Sequence, residues 1–399
     1  MKVRPQVLAL ALLSACRPDA PAASGIAARD SAGVRIVTLP DLASAKLPEW
    51  STRVLFSSDS AAIAPLLKYT DARILADSSV LVANQGELVH FDPSGHLLGR
   101  IGRAGAGPGE FQMAFRLGIS PTGEILVGDF SNQRVTLLDP TLRLRRIIPR
   151  VGPSLGYEPE PMGLLDGNRI LVGFLQRRPN REEAGLTLGG HDRDSAPLRI
   201  FDSLGTLQRV LGVWPGLERV PTQVGRIPPA FARSAMMQSR GHYTAVTPTD
   251  SLAVTLFADT AVVLMVRGGV GTRQPTQQDV AGFEAGVRED LPDVVGIYLE
   301  ALHRAATVPA MPALGGLAVD GEGNTWVGTT PGPADSLRTW FVISPSGVPL
   351  GRLSLPYLAA VAIPGAREVL DVEGDRLVLL RESPEGEISL ELRQVIHQP

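Results

Sequence analysis

Along the chain, short apolar runs alternate with polar turns, and one two-part pattern keeps returning. The first part is a turn followed by a run that is apolar at nearly every position. It occurs as "DSSVLVAN" (77–84), "PTGEILVGD" (121–129), "DGNRILVGF" (166–174), "PTDSLAVTL" (248–256), "GEGNTWVGT" (321–329) and "EGDRLVLL" (373–380). The position of Val82 recurs at Val127 and Val172, 45 residues on each time, then at Val254, Val327 and Leu379 over wider gaps. The second part trails several copies: "LVHFDPSGHLLGRIG" (88–102), "VTLLDPTLRLRRII" (135–148), "LRIFDSLGTLQRVLG" (198–212) and "FVISPSGVPLGRLSL" (341–355). Each reads as strand, tight turn, strand, with Asp or Ser opening the turn and Gly often where the backbone turns left-handed.

A unit of about 45 residues holding four short strands predicts a β-propeller blade. Helical solenoids would need a 3.6-residue period, which these short, turn-bounded, β-branched runs lack. Runs apolar at every residue fit sheets covered on both faces, as stacked blades are. Six copies predict six blades, the last over residues 367–396. A radial array leaves one open sheet edge, so an N-terminal strand is expected to pair into the last blade. "GVRIVTL" (33–39) is expected to fill that role, and "TRVLF" (52–56) is a further strand without an assigned place. The expected fold is all-β: a six-bladed β-propeller with a short helical insertion and an N-terminal strand closing the last blade.

The stretch "RIGRAGAGPGEF" (100–111) tests a competing idea, because its glycines suggest a phosphate loop. A Walker loop needs Lys-Ser or Lys-Thr after its last glycine, whereas Gly109 is followed by Glu110 and Phe111. Glu110 also stands where a dinucleotide loop has its third glycine, and Pro108 removes a backbone donor. No nucleotide partner is expected. The loop reads as a crossover between blades, with Phe111 plugging the apolar layer between the first two. The whole segment "GRAGAGPGEFQMAFRLGISPTGEILVGDFSNQRVTLLD" (102–139) resembles an NHL-type repeat, and "LGGLAVDGEGNTWVG" (314–328) resembles the first half of another. The resemblance implies a bacterial six-bladed, NHL-like propeller lipoprotein.

The first residues carry a different message. Lys2 and Arg4, the apolar run "VLALALL" and "SAC" have the layout of an export signal, too short to span a bilayer. "LSAC" resembles the lipobox of bacterial lipoproteins, which implies cleavage before Cys16, the one cysteine in the chain, and acylation of its sulfur. Two or three acyl chains give stable anchoring. The expected organisation is a signal over 1–15, a flexible tether over 16–32 and the propeller over 33–399, lipid-anchored in the cell envelope and facing the periplasm or outer surface. A net charge of −3 gives no pull toward nucleic acid, and 42 glycines and 33 prolines suit a turn-dense fold.

Three insertions break the period: 176–197, 212–242 and 274–306, the last with helical spacing and Thr276 as its N-cap. Long loops on a rigid scaffold commonly form a binding face. Trp214, Arg219, Phe231 and Arg233 in the second insertion, and Phe283 and Tyr298 in the third, are candidate anchors for a partner. Asp129, Asn132 and Arg134 form the best polar cluster, serving either to cap a turn or to meet a ligand near the axis. Asp192, Asp194 and Ser195 lack the glycine turn and distal Glu of a calcium loop. His90, His96, His191, His242, His303 and His397 show no metal-ligand spacing, and no Gly-x-Ser-x-Gly elbow marks a nucleophile. Two readings result. The first is a binding or scaffold module for an envelope protein, peptide or glycan, without a cofactor. The alternative is a metal-dependent hydrolase or lyase, as propeller lactonases and amidating lyases are. The residues aligned with Asp129 (Asn84, Phe174, Leu256, Thr329 and Leu380) make a poor metal ring and weigh against it.

Overall fold

A computed structural model describes residues 25–397, apart from 59–64, 68–69, 150, 152–156, 178–191, 223–224, 291–292, 294, 297–298, 300–309, 333–334, 359–366 and 384. The chain opens with β1 (Ala27–Ser31), β2 (Val34–Asp41) and β3 (Ser51–Ser57). Blade 1 then follows as β4 (Asp71–Ile74), β5 (Val80–Asn84), β6 (Glu87–Phe91) and β7 (Leu97–Ile101). Blade 2 is β8 (Ala114–Ile119), β9 (Ile125–Asp129), β10 (Arg134–Leu138) and β11 (Leu144–Pro149). Blade 3 is β12 (Tyr157–Leu165), β13 (Arg169–Arg177), β14 (Asp192–Phe201) and a long β15 (Leu207–Thr222), edged by β16 (Gly225–Ile227). Blade 4 is β17 (Ala235–Arg240), β18 (Tyr243–Pro248), β19 (Leu252–Ala258) and β20 (Ala261–Gly269). Helix α1 (Gln277–Asp290) separates it from blade 5, which is β21 (Leu314–Val319), β22 (Thr325–Thr329), β23 (Leu337–Ile343) and β24 (Pro349–Pro356). Blade 6 is β25 (Val369–Glu373), β26 (Arg376–Glu382) and β27 (Ile388–Ile396).

The fully apolar runs have the expected cause. In β5, Val80 and Val82 pack into a cluster shared with blade 6, while Leu81 and Ala83 pack into one shared with blade 2. In β22, Trp326 faces blade 6 and Val327 faces blade 4. Successive residues of a strand point to opposite faces, so a sheet covered on both sides must be apolar at every position. Each pair of neighbouring blades shares one such cluster, and the core is a ring of layers around the axis.

An N-terminal strand closes the ring, but it is β3. Ser51–Ser57 pairs antiparallel with β27 and supplies the fourth strand of blade 6. The segment expected there, 33–39, lies in β2, which pairs in parallel with β20 on the outer edge of blade 4, with β1 beyond it. The reason is proximity in the chain. β3 lies closer to β4, the strand that opens the neighbouring blade 1, whereas the more apolar β2 buries Val37 and Leu39 between blades 4 and 5.

Because each blade is an antiparallel meander, its first-to-second and third-to-fourth turns lie on one face of the ring. Its second-to-third turns and the crossovers to the next blade lie on the other. The crossovers β15–β17 and β20–β21, which hold the described irregular parts of the second and third insertions, are connections of the second kind, so they rise from one face, called here the insertion face.

Candidate functional site

The opening loop is fixed by the residues that follow it. Glu110 accepts a hydrogen bond from Gly107 N at 2.7 Å and pairs with Arg103. Arg134 donates to the carbonyls of Ala106, Gly107 and Glu110, and Asn132 Nδ2 donates to Gly105 O at 2.9 Å. Asp129 accepts from Gln112 N, Met113 N, Asn132 N and Asn132 Nδ2. The Asp129–Asn132–Arg134 cluster thus binds its own crossover. Phe111 is fully buried between blades 1 and 2. Gly102 (φ 80°) turns where a side chain would strike the Phe111 ring.

The candidates on the insertion face also have partners within the chain. Trp214 meets Phe257 edge to ring at 6.1 Å against the layer between blades 3 and 4, in space left by Gly212. Arg219 pairs with Asp194 at 2.6 Å. Arg233 donates through its backbone N and its guanidinium to Glu218, and Arg193 reaches Asp250 at 2.6 Å. These contacts brace the tall end of blade 3 against blade 4. Phe231, held at φ 56°, meets Phe283 of α1 at 5.5 Å. Tyr298, Cys16 and His191 lie outside the described residues, as do the side chains of Phe174 and Asp192.

Helix α1 is capped as its sequence suggests. Asp279 N donates to the capping Thr276 Oγ1 at 3.2 Å, and the Asp279 carboxylate accepts from Thr276 N and Oγ1. Arg273 grips the same carboxylate with two bonds of 2.6 Å and donates to Pro331 O of blade 5. The Arg273 hydrogen bonds hold the Asp279 carboxyl well below the usual carboxylate range. The described parts of the second and third insertions are thus tied to each other and to blades 3, 4 and 5.

An open cleft of about 350 Å³ lies between blades 4 and 5. Val270, Met311, Ala313 and Phe341 give it apolar walls, and Arg273 and Thr329, Thr330 and Thr339 give it polar groups. Thr329 Oγ1 donates to Thr339 O, whereas Thr330 Oγ1 is covered and has no hydrogen-bond partner among the described residues. An apolar cleft with a few convergent polar groups is the usual form of a small binding site.

The axis is built differently. Charged residues on the first strands, and Arg367 just before β25, meet there as ion pairs: Arg73 with Asp71 at 2.7 Å, Arg367 with Asp71 at 2.9 Å, Arg116 with Glu160, and Arg240 with Asp371 and Glu373. Burial acts to raise the Asp71 carboxyl, but Arg367, Arg73 and Arg116 outweigh it and hold it below the ordinary value. Burial pulls Arg367 down to about 10. Burial raises the Asp371 carboxyl in spite of Arg240. A divalent cation at the axis needs carboxylate oxygens free to coordinate it. Here each of these carboxylates is already bound by a guanidinium, so the set does not fit an axial metal. A serine nucleophile fares no better. Ser79 Oγ lies 2.5 Å from Asp77 and 2.7 Å from His90 Nε2, but it is 1% exposed and sits between acid and imidazole as a turn cap.

The axial ion pairs and the cleft were not among the residues singled out from sequence. "DARI" (71–74) and "VLDVE" (369–373) carried the signal for the first: charges inside very short buried strands. The cleft had none, since its walls come from six separate segments of the chain.

No family model matches the chain, and no curated protein matches it in sequence. Among solved structures, it is similar to a candidate exported protein of Bacteroides fragilis, at 12% identity and a TM-score of 0.49, covering 91% of this chain and 100% of that one. A member of the DUF4221 family from Bacteroides vulgatus gives 10% identity and 0.48, covering 88% and 100%. A gluconolactonase from Xanthomonas campestris gives 13% identity and 0.40, covering 90% and 97%.

Proposed function

We propose that this propeller is an exported, lipid-anchored binding module that engages a protein or peptide on its insertion face. The observation that carries the reading is the open cleft between blades 4 and 5, lined on one side by residues 270–273, which lead into α1. Its volume of about 350 Å³ admits one or two side chains rather than a folded surface, so the partner inserts an anchor. The apolar walls take the body of that anchor, and the threonines and Arg273 take its polar end. A ring braced by buried ion pairs holds the cleft at fixed geometry, which keeps the ordering cost of binding low. The metal-dependent hydrolase reading lacks a free axial donor set among the described residues.

Export and anchoring rest on Lys2, Arg4, the apolar run and Cys16. A Cys16→Ser chain is expected to leave the membrane fraction and to lose a labelled fatty acid while the propeller stays folded. Acyl label retained on the Ser chain refutes the anchor.

The binding reading is tested by cross-linking pull-down from bacterial envelope extract. Two proteins are compared: the parent, and a variant with 216–232 and 274–310 shortened to Gly-Ser turns. Loss of a cross-linked partner from an equally folded variant is expected. Identical profiles contradict it.

A further inference from the structure

On the face opposite the insertions, three turns of two blades bring Asp166, His242 and Asp259 together. Asp166 lies in the β12–β13 turn, His242 in the β17–β18 turn and Asp259 in the β19–β20 turn. One ligand atom from each lies within 4.8 Å of the others. We propose that these residues form a binding site for a divalent first-row transition ion of the zinc class, which clamps blade 3 to blade 4.

The donor set decides the class. One imidazole with two carboxylates suits zinc and its first-row neighbours, whereas calcium and magnesium favour all-oxygen shells. Two donors at zinc distances of about 2.0–2.2 Å stand roughly 3.0–3.4 Å apart. His242 Nδ1 and Asp259 Oδ1 are hydrogen-bonded at 3.0 Å, which already holds them at the spacing of two donors on one ion, and the proton between them leaves as the ion binds. That pair is held by the backbone, because Asp259 N donates to His242 O at 2.7 Å and Asp259 sits at φ 51°. Asp166 completes the set from the neighbouring blade; with its ligand atom within 4.8 Å of the others, it needs to close by at most about 1.8 Å, a movement open to an exposed side chain. Without an ion, two carboxylates share the patch with one imidazole, so a cation relieves their repulsion. Three protein ligands leave a fourth position for water.

This site differs in face and chemistry from the cleft, and its experiment does not depend on any partner. The full chain, purified without a histidine tag and stripped with EDTA, is titrated with zinc chloride by calorimetry and melted with and without zinc. Binding of one zinc per chain and a rise in melting temperature are expected. Asp166→Asn is expected to weaken binding at least tenfold, and His242→Ala to abolish it. Both variants are expected to melt like the metal-free parent when no zinc is present, which separates ligand loss from misfolding. Calcium is expected to give no shift. Zinc binding unchanged in His242→Ala, or no saturable binding by the parent at millimolar zinc, overturns the proposal.

Discussion

Arg240, at the end of the first strand of blade 4, crosses the axis to pair with Asp371 of blade 6 and donates to Ile74 O of blade 1 at 2.8 Å. Asp371 in turn accepts from Ile74 N at 2.8 Å. One guanidinium thus ties three blades at the centre of the ring. Removing it leaves a buried carboxylate without its counter-ion. Arg240→Met is expected to cost about 3–5 kcal/mol in urea unfolding. Asp371 already titrates above the ordinary aspartate value. Protonation of the orphaned acid therefore restores part of the loss as pH falls. A variant as stable as the parent contradicts the rivet.

The two N-terminal edges are expected to respond differently to truncation. Removing residues through 45 strips β1 and β2 from the outside of blade 4 and exposes Leu252 and Val266, so the melting point falls but the ring stays closed. Removing residues through 57 also deletes β3 and opens blade 6. That second chain is expected to associate or to lose its cooperative transition, as an unpaired long edge does. Size-exclusion chromatography and calorimetry on both chains test the order.

Much of this was legible in the sequence. Turn-and-strand pairs of 45 residues gave the blades, and the double-sided apolar runs predicted burial on both faces. Thr276 marked the start of α1, and Phe111 marked the layer between blades 1 and 2. The closing strand was misplaced because 33–39 and 52–56 are both good strands, and pattern alone does not say which edge each will meet. Trp214 and Phe231 read as free anchors because their partners, Phe257 and Phe283, lie 43 and 52 residues away, beyond any local pattern. The Asp166–His242–Asp259 group has no sequence spacing at all, since only the stacking of blades 3 and 4 brings it together.

The clamp on α1 sets a pH prediction. Asp279 has its carboxyl depressed below the ordinary 3.8, chiefly by Arg273, so its contribution is complete above that value and is lost as pH falls through the depressed one. Asp279→Asn is expected to melt lower than the parent by a constant margin from pH 8 to about pH 4.5. The margin then narrows below pH 3.8. A margin that widens in acid contradicts the assignment.

Phe231 and Phe283 join the second insertion to the third. Phe283→Ala is expected to cost about 1–2 kcal/mol locally, the scale of a half-buried aromatic pair. Hydrogen exchange is the readout: amides of 277–290 are expected to lose protection while those of β22 and β26 keep theirs. Unchanged protection over α1 contradicts the bracing.

The claim that the cleft takes a partner's anchor is tested most directly by filling it. A phage-displayed peptide library is panned on the parent chain, and the selected peptides are titrated against the parent and against Thr330→Trp, which places an indole among Met311, Ala313 and Phe341. Loss of at least tenfold in affinity, with the melting temperature of the variant within a few degrees of the parent, is the predicted result. Peptides that bind the filled and open clefts equally well contradict the account.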